Sequence, residues 1–280
     1  MLALAVANVM AVNSVRASDK WLREPRRRWH ILKRALMAVA ATAALAGPFS
    51  FDYYSGRLGI ALPSPEVTET AKGRIIKVPP GGNLQAAVDK AVGGDIIELQ
   101  AGAVYAGQIT LPNKPLTDFV TIQTSAVTNL PEGKRVSPAQ RASLATINPG
   151  LLTRPAILAA NGAHHYRFVG IEFGPTTKGY FNIIQIGTTE ETSVEQLPHH
   201  IEFDRVYVHG DPKLGQRRGI AANGRHIKIT NSYFSDFKRE GEESQAIAVW
   251  AADGPIEITN NYIEAAAENI LFGGATSKLA

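Results

Sequence analysis

Two stretches of mixed charge hold most of the side chains able to do chemistry. "HGDPKLGQRRG" (209–219) offers His209, Asp211, Lys213, Arg217 and Arg218, and "SDFKREGEESQ" (235–245) offers Asp236, Lys238, Arg239, Glu240, Glu242 and Glu243. Acids and bases mixed in this way suit an acidic polysaccharide. Eliminative cleavage of a uronate polymer has two requirements: the C6 carboxylate must be neutralised, commonly by Ca²⁺ on clustered carboxylates, and a base must remove the C5 proton. Asp236, Glu242 and Glu243 are the hard-cation ligands on this reading. Arg217 or Arg218 could be the base only in a site that strongly perturbs a guanidinium. Histidine side chains titrate nearer neutrality, which makes His209 the easier base. The catalytic candidates are therefore His209, Arg217, Arg218, Asp236 and Glu243, with Lys213, Lys238 and Arg239 as substrate-binding cations. Trp250 is either a sugar-stacking platform or plain packing. Hydrolysis is the competing chemistry and needs two carboxyls flanking the bond; Asp211 with Asp236, or Glu264 with Glu268, could supply them.

These loops must be positioned by regular elements, and the flanking sequence repeats. "YRFVGIEFGP" (166–175), "IEFDRVYVHG" (201–210), "IKITNSYFSD" (227–236) and "IEITNNYIEA" (256–265) align without gaps at intervals of 35, 26 and 29 residues. Ahead of them stand "ILAANG" (157–162), "IIQIG" (183–187), "IAANG" (220–224) and "IAVWA" (247–251), and "ILFGG" (270–274) follows. An irregular interval near thirty indicates one structural coil per repeat with loops of variable length. Each unit reads as a short apolar strand, a turn, a second strand, an Asn-bearing corner and a third strand, which is one rung of a right-handed parallel β-helix.

The column Gly170, Arg205, Asn231, Asn260 suits a corner of positive φ, where Gly and Asn are at ease and Arg205 fits poorly. The next column, ending in Ser232 and Asn261, shares parity with the apolar residues two places on. Asn261 is therefore expected to point inward, buried above Ser232, with its amide satisfying corner backbone groups. Ile157, Ile184, Ile220, Ile247 and Ile270 are expected to form one stack. The two charged loops leave consecutive rungs at the same corner and should lie side by side, bringing His209, Arg217, Arg218 and the acids from Asp236 to Glu243 into one cleft.

From "IIKVPPGGNLQAAVDKAVGGDIIELQAGAVYAGQITLPNK" (75–114) onward the chain resembles the pectate-lyase-like right-handed β-helix superfamily, over about 200 of its 280 residues. Its most specific pieces are "GGNLQAAVDKAVGGDIIEL" and "ESQAIAVWAADGPIEITNNYIEAAAENILFGGA". The resemblance implies an all-β solenoid and carbohydrate chemistry, although β-helices of this kind also serve as tailspikes, adhesins and epimerases. The paired-aspartate motif of polygalacturonases and the arginine motif of classical pectate lyases are absent. "NNYIEAAAENILFGGATSK" is similar to the Asn, Glu and Lys arrangement of alginate and chondroitin lyases, which would single out Asn261, Glu264, Glu268 and Lys278, although the spacing departs from that pattern. A non-catalytic surface or glycan-binding β-helix, or a glycoside hydrolase of the same fold, is the alternative function.

Composition narrows the partners. The chain carries +4 overall, but residues 1–50 alone carry eight Lys and Arg against Asp19 and Glu24, leaving −2 for the remainder. A near-neutral β-helix excludes nucleic acid as the partner. "REPRRRWHILKR" running into the uncharged "ALMAVAATAALAGPFSF" (35–51) has the order of an export signal, so 1–51 is assigned to export or a membrane anchor, and the protein to a secreted or periplasmic, bacterial setting. The absence of cysteine fits such a compartment. Residues 52–73 read as a linker and 74–280 as the β-helix of a monomer, opened by a capping helix with Asn83 as N-cap and Leu84, Ala87, Val88 and Ala91 on its buried face. Further rungs are expected beyond Ala280. The doublets His164–His165 and His199–His200 precede second strands at one corner and read as turn residues, no third metal ligand standing near them in sequence.

Overall fold

The computed structural model describes residues 63–70, 73–149, 154–176 and 181–279. The basic and apolar segment 1–51 and the 52–62 part of the linker lie outside these residues. Among the described residues no helix is long and apolar enough to cross a membrane.

The described chain opens with β1 (Glu66–Thr70) paired antiparallel to β2 (Gly73–Val78). Residues 66–70, expected as linker, are thus an edge strand. All five are exposed, and the glutamates at either side of Val67 and Thr68 keep that edge from pairing further. Helix α1 (Leu84–Lys90) follows, its N-terminus capped as expected: Asn83 Oδ1 accepts the Ala86 N–H at 2.9 Å. Leu84, Ala87, Val88 and Ala91 are buried against the first coils.

Six rungs succeed one another. They are β3 (Ile96–Leu99), β4 (Val104–Ala106), β5 (Ile109–Leu111); β6 (Val120–Thr124), β7 (Ala145–Asn148), β8 (Ile157–Ala159); β9 (His164–Val169), β10 (Ile171–Phe173), β11 (Asn182–Ile186); β12 (His199–Asp204), β13 (Tyr207–His209), β14 (Arg218–Ala222); β15 (Arg225–Thr230), β16 (Tyr233–Phe237), β17 (Gln245–Val249); and β18 (Ile256–Thr259), β19 (Tyr262–Ala265), β20 (Glu268–Phe272). The first strands of the rungs form sheet A with β1 and β2, the second strands sheet B, the third strands sheet C. Rung pairs with rung in parallel on all three faces, which is the β-helix read from the repeats.

Ile157, Ile184, Ile220, Ile247 and Ile270 are direct register partners on sheet C, and Ile109 extends the stack one rung upstream. On sheet A the corresponding column is Ile76, Ile97, Ile122, Phe168, Phe203, Ile229 and Ile258. Phe168 and Phe203 stack at 5.2 Å within it. The coil therefore begins two rungs before the repeat alignment. Those rungs lack an Asn corner, and the long excursion between β6 and β7 breaks the period.

The corner between sheets A and B has φ of 66° at Gly170, 52° at Arg205, 55° at Asn231 and 55° at Asn260. Arg205 tolerates this strain because its guanidinium is tied down, Nε donating to Asp204 Oδ2 at 2.8 Å and Nη1 to the Leu130 carbonyl at 2.6 Å. Just after it, Ser232 Oγ accepts the Val206 N–H at 3.0 Å and donates to the Thr230 carbonyl at 2.7 Å. One rung on, Asn261 Oδ1 accepts the Ser232 N–H and its Nδ2 donates to the Ile229 carbonyl, both at 2.8 Å. The amide does what its parity required, although Asn261 is half-buried rather than buried, no described rung standing beyond its own.

Loss of the Ser232 hydroxyl would strand a buried N–H and a buried carbonyl, so Ser232→Ala should lower unfolding free energy by about 1–3 kcal/mol, and Asn261→Leu should cost more than its added apolar surface returns. Urea denaturation measures both. A Ser232→Ala chain as stable as its parent would remove the corner hydroxyl from the account.

Candidate functional site

The two charged loops, 210–217 between β13 and β14 and 238–244 between β16 and β17, lie side by side at the corner between sheets B and C, because their flanking strands are register partners. The first is built on a turn in which Asp211 Oδ1 accepts the N–H groups of Lys213 and Leu214, both at 2.8 Å. Those two donors hold the Asp211 carboxyl below its usual range. At Gly215, with φ of 69°, an added Cβ would stand 2.5 Å from the Lys238 carbonyl oxygen, so the first loop seats its backbone directly on the second. Gln216, buried, pins it from the other side: Nε2 donates to the Phe181 carbonyl at 2.9 Å, and Oε1 accepts from the Thr176 N–H at 3.1 Å.

Between the loops is an open cavity of about 450 Å³ lined by Asp211, Lys213, Gln216, Lys238, Arg239 and Glu240, with Pro175 and Thr176 at its edge. Three of the expected substrate-binding cations, Lys213, Lys238 and Arg239, are thus brought together. Lys238 Nζ rests on Asp236 Oδ1 at 2.7 Å, and Arg239 Nε lies 3.2 Å from Glu242 Oε1. Arg217 approaches the same Glu242 at 3.6 Å and lays its guanidinium over Phe181, 4.4 Å from the ring centroid. Glu243 is exposed. Asp236, Glu242 and Glu243 do not form a calcium site as they stand: the first two carboxylates are turned onto cations of their own loops.

Arg218 and Trp250, expected separately as a catalytic candidate and a stacking platform, meet outside this cavity. The Arg218 guanidinium lies 5.3 Å from the Trp250 ring centroid, and its Nε donates to Gln245 Oε1 at 2.8 Å, whose amide in turn donates to Glu268 Oε2 at 2.8 Å. Burial, and then the charge of Arg217, hold the Arg218 guanidinium below its usual value, although the acids nearby oppose the shift.

His209 is not a free base. It is buried, with Nε2 2.9 Å from Glu172 Oε1, Nδ1 2.8 Å from the Gly210 carbonyl, and Tyr207 stacked on its ring at 4.5 Å. Both nitrogens are engaged, so it serves the fold and not the cavity. Glu172 organises this cluster: it is 1% exposed, accepts Arg141 Nε at 2.8 Å and Thr146 Oγ1 at 3.2 Å, and is approached by Arg141 Nη2 at 2.6 Å. Burial alone would raise its carboxyl, but the hydrogen bonds from His209 and Arg141 outweigh it and hold the group below its usual range.

The remaining sequence candidates separate. Glu264 accepts the Tyr262 hydroxyl at 3.1 Å, whereas Glu268 is held by Gln245. Asn261 is spent at the corner of sheets A and B, and Lys278 pairs with Glu190 at 2.5 Å. The arrangement similar to alginate and chondroitin lyases is therefore not assembled. Sequence reasoning missed Glu172 and Gln216. Glu172 stands between Ile171 and Phe173 like any solvated alternate of a short strand, and nothing local marks its burial.

No protein-family model and no curated protein matches this chain. Among solved structures, the crystal structure of an alginate lyase from Paenibacillus sp. str. FPU-7 is similar at 15% identity and a TM-score of 0.48, the likeness covering 70% of this chain and 60% of that one. The chain thus spans about 60% of the length of that enzyme.

Since Glu172 titrates lower folded than unfolded, its stabilising contribution is present above about pH 4.5 and is lost as pH falls through the folded value. Glu172→Gln should cost about 1–3 kcal/mol at neutral pH, Arg141 being 62% exposed and partly screened. The gap between the melting temperatures of parent and variant should close on acidification. A gap constant with pH would mean that packing, and not charge, is what the substitution removes.

Proposed function

We propose that the protein is a polysaccharide-active β-helix that binds an acidic glycan across the loop corner, with eliminative cleavage as its chemistry. The observation that carries this reading is the cavity where Lys213, Lys238 and Arg239 converge. Lys238 holds Asp236 only at the surface, with 45% of its side chain exposed, and exposed ion pairs are weak. A glycan carboxylate can therefore replace Asp236 as its partner at little cost. The stacks of Arg217 on Phe181 and Arg218 on Trp250 offer flat, cationic surfaces to a sugar chain.

Elimination assigns the cavity cations to neutralising the C6 carboxylate, which acidifies the C5 proton. Arg218, outside the cavity beside Trp250, would have to give up its own proton before taking this one, and burial shifts it in that direction. The C5–H electrons form the C4–C5 double bond as the C4–O bond breaks, and the leaving oxygen is protonated by solvent. Binding without cleavage is the second reading. It is favoured by the engagement of His209 with Glu172 and of Asp236 and Glu242 with neighbouring cations.

Polyuronates and glycosaminoglycans should bind, with affinity falling as salt rises. The double variant Lys213→Glu, Lys238→Glu should bind about tenfold more weakly with an unchanged melting temperature. Release of unsaturated uronate, followed by its ultraviolet absorbance and abolished in Arg218→Ala, identifies the lyase. Binding without that absorbance identifies the second reading, reducing ends without it identify a hydrolase, and no binding to any acidic glycan overturns the proposal.

A further inference from the structure

At the opposite corner, where sheet C turns into sheet A, the histidine doublets form a ladder. His164 and His199 are register partners, as the first residues of β9 and β12, and their rings stack at 4.6 Å with 3° between planes. His165 stacks on His200 at 4.7 Å and His200 on His226 at 4.5 Å. Within each doublet the two Nδ1 atoms face each other at 2.7 Å. This facing geometry comes from the backbone: His165, His200 and His226 have φ of 59°, 52° and 50°, a conformation that turns the second ring back toward the first and is uncommon for histidine.

Two ring nitrogens in such contact need one lone pair between them, so each doublet presents at least one neutral imidazole. Burial, followed by the mutual influence of the neighbouring histidines and Arg225, pushes His164 down and His199 down to about 4. Imidazole binds metal in its neutral form. Sequence alone offered only doublets. The register supplies the missing third ligand: one ring nitrogen each from His164, His165 and His199 lie within 4.8 Å of one another, and all three residues are partly exposed.

We propose that His164, His165 and His199 bind one Zn²⁺ ion. Imidazole nitrogens suit zinc, and a tetrahedral ion with Zn–N of about 2.0–2.1 Å needs its ligand nitrogens about 3.4 Å apart, inside the 4.8 Å that bounds the separations here. Closing the site requires the stacked His164 and His199 rings to turn out of their parallel arrangement. Three protein ligands leave a fourth position to solvent. Arg225, which follows His199 in register and whose Nε is buried without a hydrogen-bond partner, favours an anion or hydroxide there. The site stands apart from the glycan cavity and does not depend on it.

The test is titration of the full, tag-free, chelator-treated chain with Zn²⁺ against a chromophoric chelator, and with Co²⁺ by visible spectroscopy. One equivalent should bind, and Co²⁺ should show the intense bands of tetrahedral coordination. His164→Phe and His199→Phe keep an aromatic ring in the stack while removing the nitrogen. Each should weaken binding by more than the roughly 10–100-fold that loss of an outer-sphere partner costs. Absence of Zn²⁺ binding in the parent, an octahedral Co²⁺ spectrum, or affinity unchanged in both variants would overturn the assignment and leave the ladder as packing alone.

Discussion

The parallel backbone ladder between rungs is the constraint on which the rest of this structure depends. Its register cannot slip by one residue without turning every inward side chain outward, so the isoleucine column of sheet C and the Ile/Phe column of sheet A hold it in place. Whatever stands at one position of a rung must then lie against its counterpart in the next. The ladder puts the Lys213 loop on the Lys238 loop, and His199 on His164, with no contact between those side chains needed to arrange it.

A coil closed in this way has three corners per rung at which backbone groups leave the ladder, and these must be satisfied locally. Ser232 and Asn261 do this with side chains of different length, each bonding one N–H and one carbonyl. Arg205 does it from a strained backbone by reaching the Leu130 carbonyl. Among the described residues, the corner that carries the long loops shows no such repeated device. There the chain is free to lengthen, and the loops close on their own turns around Asp211 and Ser244.

Ionisable groups sort by the cost of leaving them alone. A charge buried like Glu172 is untenable without partners, so it draws in His209 from the next rung and Arg141 from a distant loop. That demand removes from the cavity the residue whose chemistry looked most apt. Exposed charges face no such demand, and Lys238 and Arg239 hold their loop carboxylates loosely enough to exchange them.

The amino-acid sequence by itself determined the fold, the isoleucine column and the Asn corner, because these rest on side-chain alternation and on conformational preference, both local properties repeated at each rung. It also determined that two charged loops share a corner, since that follows from repeat order. Tertiary structure alone decided which charges face the cavity. Glu172 and His209 stand 37 residues apart and meet only through the ladder, and neither carries a local mark of its burial. The histidine doublets were visible as residues, but their stacking depends on a cross-rung register that no spacing within one rung contains. Periodic physics is written along the chain, whereas a site is made of side chains from different coils, whose meeting is settled by packing between rungs.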